Sequence, residues 1–236
     1  MLEFTQENGE FAILFLHGWG SDGSIFKGQI DFLKHKYFTL SPDLAGFGKT
    51  QIPKEPLSIL DYANQIYDYL TAQNVKKVIV VGHSFGGRIA IVLGAKYPKI
   101  IKGIVLVDSA GLIQKSLKTR LKILRYKWCK CLVKLRLVDK NKLKKFQSGD
   151  YKACDGVMRA IFVKAVNTSL AKYARRVKAS TLLIWGEHDQ ETKLAMGKKF
   201  NKLIKNSRLV TLPCGHFPFL ECPTLFNGIL NAYLEG

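Results

Sequence analysis

Six short apolar runs rich in Val, Ile and Leu, each closed by small or polar residues and separated by stretches of helical periodicity, restrict this chain to an alternating α/β architecture. The runs lie at 11–16, 37–40, 77–81, 103–107, 181–185 and 208–212. They are continuous rather than alternating, so both faces of each strand have to be covered, which is the habit of a parallel sheet between two helical layers. Helical spacing recurs at 25–33, 59–72, 85–96, 194–203 and 224–234. The expected fold is therefore α/β, with a doubly wound, mostly parallel sheet. At 236 residues the chain has the volume for one such core. Only about ten residues precede the first strong strand, leaving room for at most one more short strand at 2–5.

The alternation breaks once, after the strand at 103–107. The interval 112–178 is too long for a structureless loop, and it holds 20 of the 37 Lys and Arg residues against three acids, Asp139, Asp150 and Asp155. Its net charge is +17 out of +19 for the whole chain. Leu117, Leu121, Leu124, Trp128, Leu132 and Leu135 recur every three or four residues with Lys and Arg between them, the pattern of a basic amphipathic helix. The chain is thus read as a core of 1–111 plus 179–236, carrying a basic helical cap over 112–178. In the simplest reading the cap's Leu stripe packs over a cleft and its lysines face solvent.

Composition excludes other classes. Hydrophobic residues at 47% with 23% charged residues argue against disorder. No stretch approaches the twenty apolar residues of a membrane span, and the start lacks the basic region of a signal peptide, so a cytoplasmic protein is expected. The five cysteines are odd in number, and Cys129 and Cys131 lack the spacing of a zinc ribbon. Reduced thiols and no metal site follow. No nucleic-acid recognition motif accompanies the charge.

Chemistry concentrates at Gly82-His83-Ser84-Phe85-Gly86, a GxSxG that closes the strand KKVIVV and opens the helix FGGRIAIVLGAKY. A strand, a sharp turn and a helix are what a nucleophile elbow requires. The glycines admit close backbone approach, and the serine hydroxyl stands at a helix N-terminus that favours developing negative charge. Serine needs a base, and the base needs an orienting acid. Asp189 follows a buried strand, and His216 follows the last one.

These segments resemble the α/β-hydrolase superfamily over nearly the whole chain. His17-Gly18-Trp19-Gly20 is similar to its HGxG loop, and WGEHD and GHFPFLECP resemble its WGxxD and GHxxxxExP patterns. The resemblance implies Ser84 as nucleophile, Asp189 as acid and His216 as base, with the backbone N–H groups of Trp19 and Phe85 as oxyanion donors. It implies no cofactor. His17 is read as a brace of its loop. Asp108, ending the strand IVLVD, is the second candidate for the acid. His188, His35 and His83 are read as structural or solvated.

A serine at the elbow argues against the dehalogenases and epoxide hydrolases of this superfamily, which place Asp there. The chain is most similar to small capped carboxylesterases, implying a small-molecule ester as substrate. The rival is the group of C–C bond hydrolases acting on ring-fission products, from which His83 and Phe217 depart; in that reading Arg159 holds a substrate carboxylate. A non-catalytic binding protein on the same fold is a third reading. The basic cap allows two partners beyond solvent, an anionic substrate gathered over the site and an anionic membrane surface.

Overall fold

The computed structural model describes residues 11–113, 117–135, 137–139, 141–142 and 149–236. The strand expected at 2–5 lies outside them. Among the described residues, six strands form one sheet: β1 (Ala12–Leu16), β2 (Thr39–Leu40), β3 (Val78–His83), β4 (Ile101–Val107), β5 (Ser180–Gly186) and β6 (Ser207–Leu212). Their order is β2-β1-β3-β4-β5-β6, and every pairing is parallel. The continuous apolar runs are explained by this arrangement. Ile13, Phe15, Val81, Val105 and Ile184 pack on one face, and Leu14, Leu16, Val80, Ile104, Leu106 and Trp185 on the other.

Helices α1 (Lys27–Leu33), α9 (Pro218–Glu221) and α10 (Pro223–Glu235) supply Leu33, Phe219, Phe226 and Leu230 to the first face. Helices α2 (Ile59–Ala72), α3 (Phe85–Lys96) and α8 (Leu194–Leu203) supply Ile66, Ile89 and Phe200 to the second. Helix α2 begins at a capping box in which the Ser58 and Asp61 side chains satisfy each other's backbone N–H groups. The sequence gives no sign of α9 or of the 3-10 turn at Gly23–Phe26, because four residues are too few to show a period.

The chain leaves β1, builds β2 on one flank, then crosses to β3 on the other and continues outward. The strand order therefore reverses between β1 and β3, and in open α/β sheets ligands bind in the crevice beyond the strand ends at such a reversal. The loops after β1 and β3 carry the HGWG and GHSFG segments.

Among the described residues, four α-helices lie between β4 and β5: α4 (Leu117–Lys134), α5 (Gly149–Ala153), α6 (Gly156–Val166) and α7 (Ala171–Ala174). They divide into two kinds. Helix α6 buries Ile161 and Ala165, and α7 buries Ala174 and packs on α3 and α8. Helix α4 buries no side chain among its described residues. Leu121, Leu124, Trp128 and Leu135 are all exposed, so this part of the Leu stripe does not cover a cleft. Cys129, Leu132 and Val133 of this helix are half-buried. No described helix is long and apolar enough to cross a membrane.

Candidate active site

Ser84 is the one residue from 78 to 95 that is not buried. It caps α3 at φ 48° and ψ −105°, a conformation that costs a non-glycine residue about 1–3 kcal/mol and persists only when its surroundings impose it. Here they do. The Ser84 N–H donates to the Val107 carbonyl at 3.0 Å, and its carbonyl accepts from Ala110 at 3.1 Å, so the end of β4 fastens the turn on both sides. A side chain at Gly86 would lie 2.1 Å from the Leu16 carbonyl, and one at Gly82 would lie 2.7 Å from the Gly86 carbonyl. Only glycine lets α3 start this close to β1.

His216 and Asp189 meet directly. The imidazole Nδ1–H donates to Asp189 Oδ2 at 2.8 Å, with both side chains buried. That carboxylate also accepts the Thr192 hydroxyl on Oδ2 at 2.6 Å and the Glu191 and Thr192 amides on Oδ1 at 2.7 and 3.0 Å. Burial on its own would raise the Asp189 pKa, but the hydrogen bonds from His216, Thr192 and Asp108 outweigh it and hold the carboxyl below the ordinary range. Asp189 is thus an anion locked in place, able to fix the imidazole tautomer.

The loop bearing His216 is fixed by two other groups. Glu221 accepts the Gly215 amide at 2.6 Å and the Phe217 amide at 2.9 Å, gripping the backbone on either side of the histidine. His83, the residue before Ser84, donates from Nε2 to the His216 carbonyl at 2.8 Å. Burial pushes the His83 pKa down to about 3, so the ring stays neutral and keeps the donor role. The elbow and the histidine loop are therefore tied together one residue from Ser84.

The far edge of His216 points elsewhere. Its Nε2 lies 3.3 Å from the carboxylate of Glu191, a side chain 64% exposed, and the Ser84 hydroxyl makes no hydrogen bond among the described residues.

Asp108 stands behind Asp189. It is fully buried, at φ 40°, and its Oδ1 accepts the Gly186 amide at 3.0 Å. Its Oδ2 has no donor, yet oxygens of both carboxyls and a nitrogen of His216 lie within 4.8 Å of one another. Burial, reinforced by the charge of Asp189, pushes the Asp108 pKa up to about 10. The two acids thus differ in state: Asp108 keeps its proton and offers it to Asp189, which stays ionised and makes the contact to His216.

On the other side of Ser84, His17 donates from Nδ1 to the Gly18 carbonyl at 2.8 Å and accepts the Leu44 amide on Nε2 at 3.0 Å, bracing the HGWG loop. The amides of Trp19 and Phe85 have no acceptor among the described residues. Their rings stand 5.2 Å apart, with Phe47 4.9 Å and Phe162 5.1 Å from Trp19 and Tyr62 5.2 Å from Phe85. Phe162 belongs to α6, so the insertion between β4 and β5 contributes directly to this aromatic wall. Helix α6 is anchored by Arg88 of α3, which is buried and donates to the Ala165 and Thr168 carbonyls at 2.8 and 3.3 Å.

Sequence reasoning missed Glu191, Thr192 and the brace from His83; only Glu221 carried a signal, as the Glu of the GHxxxxExP pattern. Arg159 is engaged locally, donating to the Cys154 carbonyl at 2.8 Å and stacking on Tyr151. His188 and His35 are exposed.

A family model described as the alpha/beta hydrolase fold matches residues 12–128. An uncharacterized protein of Mycobacterium tuberculosis is 32% identical over 100 residues, a match spanning 42% of this chain and only 29% of that relative. Lipase 1 of Psychrobacter immobilis is 28% identical over 253 residues, covering 91% of this chain and 75% of the lipase. Among solved structures, an esterase from Exiguobacterium antarcticum superposes with a TM-score of 0.75 at 19% identity, over 97% of this chain and 93% of the esterase.

Proposed function

With the premise that this chain is an α/β-hydrolase-fold protein, we propose that it is a serine hydrolase cleaving carboxylic esters of small molecules through an acyl-enzyme on Ser84. The observation that carries this reading is the buried bond between His216 Nδ1 and Asp189, in a loop fastened to the residue before Ser84. That bond leaves Nε2, which here lies against Glu191, as the nitrogen to serve as base.

In the proposed reaction the Glu191 contact opens and Nε2 takes the proton of the Ser84 hydroxyl as its oxygen attacks the ester carbonyl. The oxyanion forms against the amides of Trp19 and Phe85, donors of a kind whose individual loss typically costs about 3–4 kcal/mol of barrier. His216 then passes its proton to the departing alcohol, deprotonates a water, and the water releases the acid from Ser84. Trp19, Phe47, Phe85, Tyr62 and Phe162 offer the acyl or alcohol group an apolar wall. The likeness to a lipase and an esterase supports the reaction class.

Hydrolysis of p-nitrophenyl acetate and butyrate tests the proposal. Wild type is expected to turn over both, Ser84→Ala to lose the activity with an unchanged unfolding transition, and a fluorophosphonate to label Ser84 alone. Turnover that persists in Ser84→Ala, or faster cleavage of a vinylogous diketo acid than of either ester, would overturn it.

A further inference from the structure

We propose that the exposed face of α4 docks on an anionic lipid surface. Leu121, Leu124, Trp128 and Leu135 recur at intervals of three, four and seven residues, which at about 100° per residue places them on one side of the helix axis. They are 58%, 60%, 69% and 62% exposed. Of the half-buried residues of the helix, Cys129 and Val133 lie roughly 110° and 150° around the axis from the centre of the strip, and Leu132 lies at its border. The chain thus leaves a strip of large apolar side chains in water, which soluble proteins seldom do without a partner.

The chemistry around the strip identifies that partner. Helix α4 contains no acidic residue, and Arg125, Lys127, Lys130 and Lys134 are exposed with no acidic partner among the described residues. Arg125 and Lys127 flank the strip at roughly 70° and 90° from its centre, and cations so placed suit a membrane interface, where the strip enters the acyl boundary and the cations meet anionic headgroups. Trp128, the most exposed side chain of the strip, is of the type that favours this boundary. A nucleic acid or an acidic protein would satisfy the cations and leave Leu121, Leu124 and Trp128 in water. The lipid surface satisfies both halves of the face. This docking is independent of hydrolysis, since it uses no residue near Ser84.

Co-sedimentation of the full chain with phosphatidylcholine vesicles containing roughly three parts in ten phosphatidylglycerol, against phosphatidylcholine alone, tests the proposal. Partitioning is expected to be at least about tenfold greater on the anionic vesicles and to weaken with added salt. The double variant Leu124→Ser, Trp128→Ser and the quadruple variant Arg125→Gln, Lys127→Gln, Lys130→Gln, Lys134→Gln should each lower it about tenfold or more. Trp128→Phe should retain binding, which separates lost contact from lost folding, and brominated lipid should quench the fluorescence of Trp128 in wild type. Ser84→Ala should bind as wild type does, so that failure of the esterase reading and failure of docking are told apart. Equal partitioning to both vesicle types overturns the proposal. So does loss of binding in the charge variant with none in the apolar variant, the signature of a general polyanion site that RNA would then occupy equally well.

Discussion

Behind His216 two carboxyls share one proton, and which of them holds it decides the chemistry. Asp108 is the protonated member, its pKa raised by burial from 3.8 to about 10, whereas an unfolded chain releases that proton near pH 4. Between those values the native protein holds one proton more than the unfolded chain, so this site's contribution to stability falls as pH rises. The slope is at most about 1.4 kcal/mol per pH unit. Asn in its place keeps an acceptor for the Gly186 amide and a donor for Asp189 without a titrating proton. Asp108→Asn is therefore expected to keep ester turnover within a few-fold of wild type and to gain in thermal midpoint relative to wild type as pH is raised from 5 to 9. A constant difference across that range would show that Asp108 is ionised in the native protein. Asp108→Ala strands the amide and should cost about 1–3 kcal/mol in urea unfolding. The WGxxD resemblance marks Asp189 as the acid and ranks Asp108 second, but the protonated state of Asp108 was not legible in the sequence. Both acids are buried, and the pairing of β4 with β5 sets Asp108 behind Asp189, which faces the imidazole. Glu191 was equally hidden, because the WGxxD pattern ends at Asp189 and carries no sign of a second carboxylate reaching the histidine. Its exposed contact to Nε2 is worth about 0.2–1 kcal/mol by analogy with other surface pairs. Glu191→Gln should accordingly speed fluorophosphonate labelling of Ser84 by no more than about fivefold, and a tenfold slowing would make Glu191 part of the machinery.

At the scale of elements, periodicity located the strands and the long helices well, because each must bury a continuous face. The boundaries expected for α2, α3 and α8 coincide with the observed ones. Local patterning also placed Ser84 at the end of β3 and His216 after β6. It could not say what each face is buried against. The Leu stripe of α4 reads as a packing surface by spacing alone, yet much of it is exposed, because the insertion is docked through α6 and α7 instead. Arg88 is the hinge of that docking. Its guanidinium satisfies carbonyls at the C-terminal end of α6, where a positive charge complements the helix dipole. Arg88→Met fills similar volume but removes both hydrogen bonds, and is expected to cost about 1.5–3 kcal/mol. Limited proteolysis should then cut α6 faster than in wild type. Ester turnover should fall as Phe162 leaves the ring of Trp19. An unchanged cleavage pattern would mean that Ile161 and Ala165 suffice to hold α6 down.

The whole molecule joins a nearly neutral parallel-sheet core to an insertion that carries almost all of the positive charge. Folding stability is not shared evenly across such a design. The sheet is paired from β2 to β6, with β1, β3, β4 and β5 buried on both faces, and α6 and α7 are pinned to α3, while α4 keeps its backbone bonds under mostly solvated side chains. Segments with few buried apolar contacts open at lower free energy than the global unfolding. Native-state hydrogen exchange followed by mass spectrometry should therefore show the α4 amides exchanging well before those of β1, β3 and β4, with α6 close to the core in wild type and joining α4 in Arg88→Met. Anionic vesicles should slow exchange in α4 and leave the core unchanged, since a bound surface stabilises only the segment that touches it. Protection of α4 equal to that of α3 in the absence of lipid would mean that the strip has a partner within the chain, and the division of the molecule into a rigid core and an outward-facing basic helix would fail.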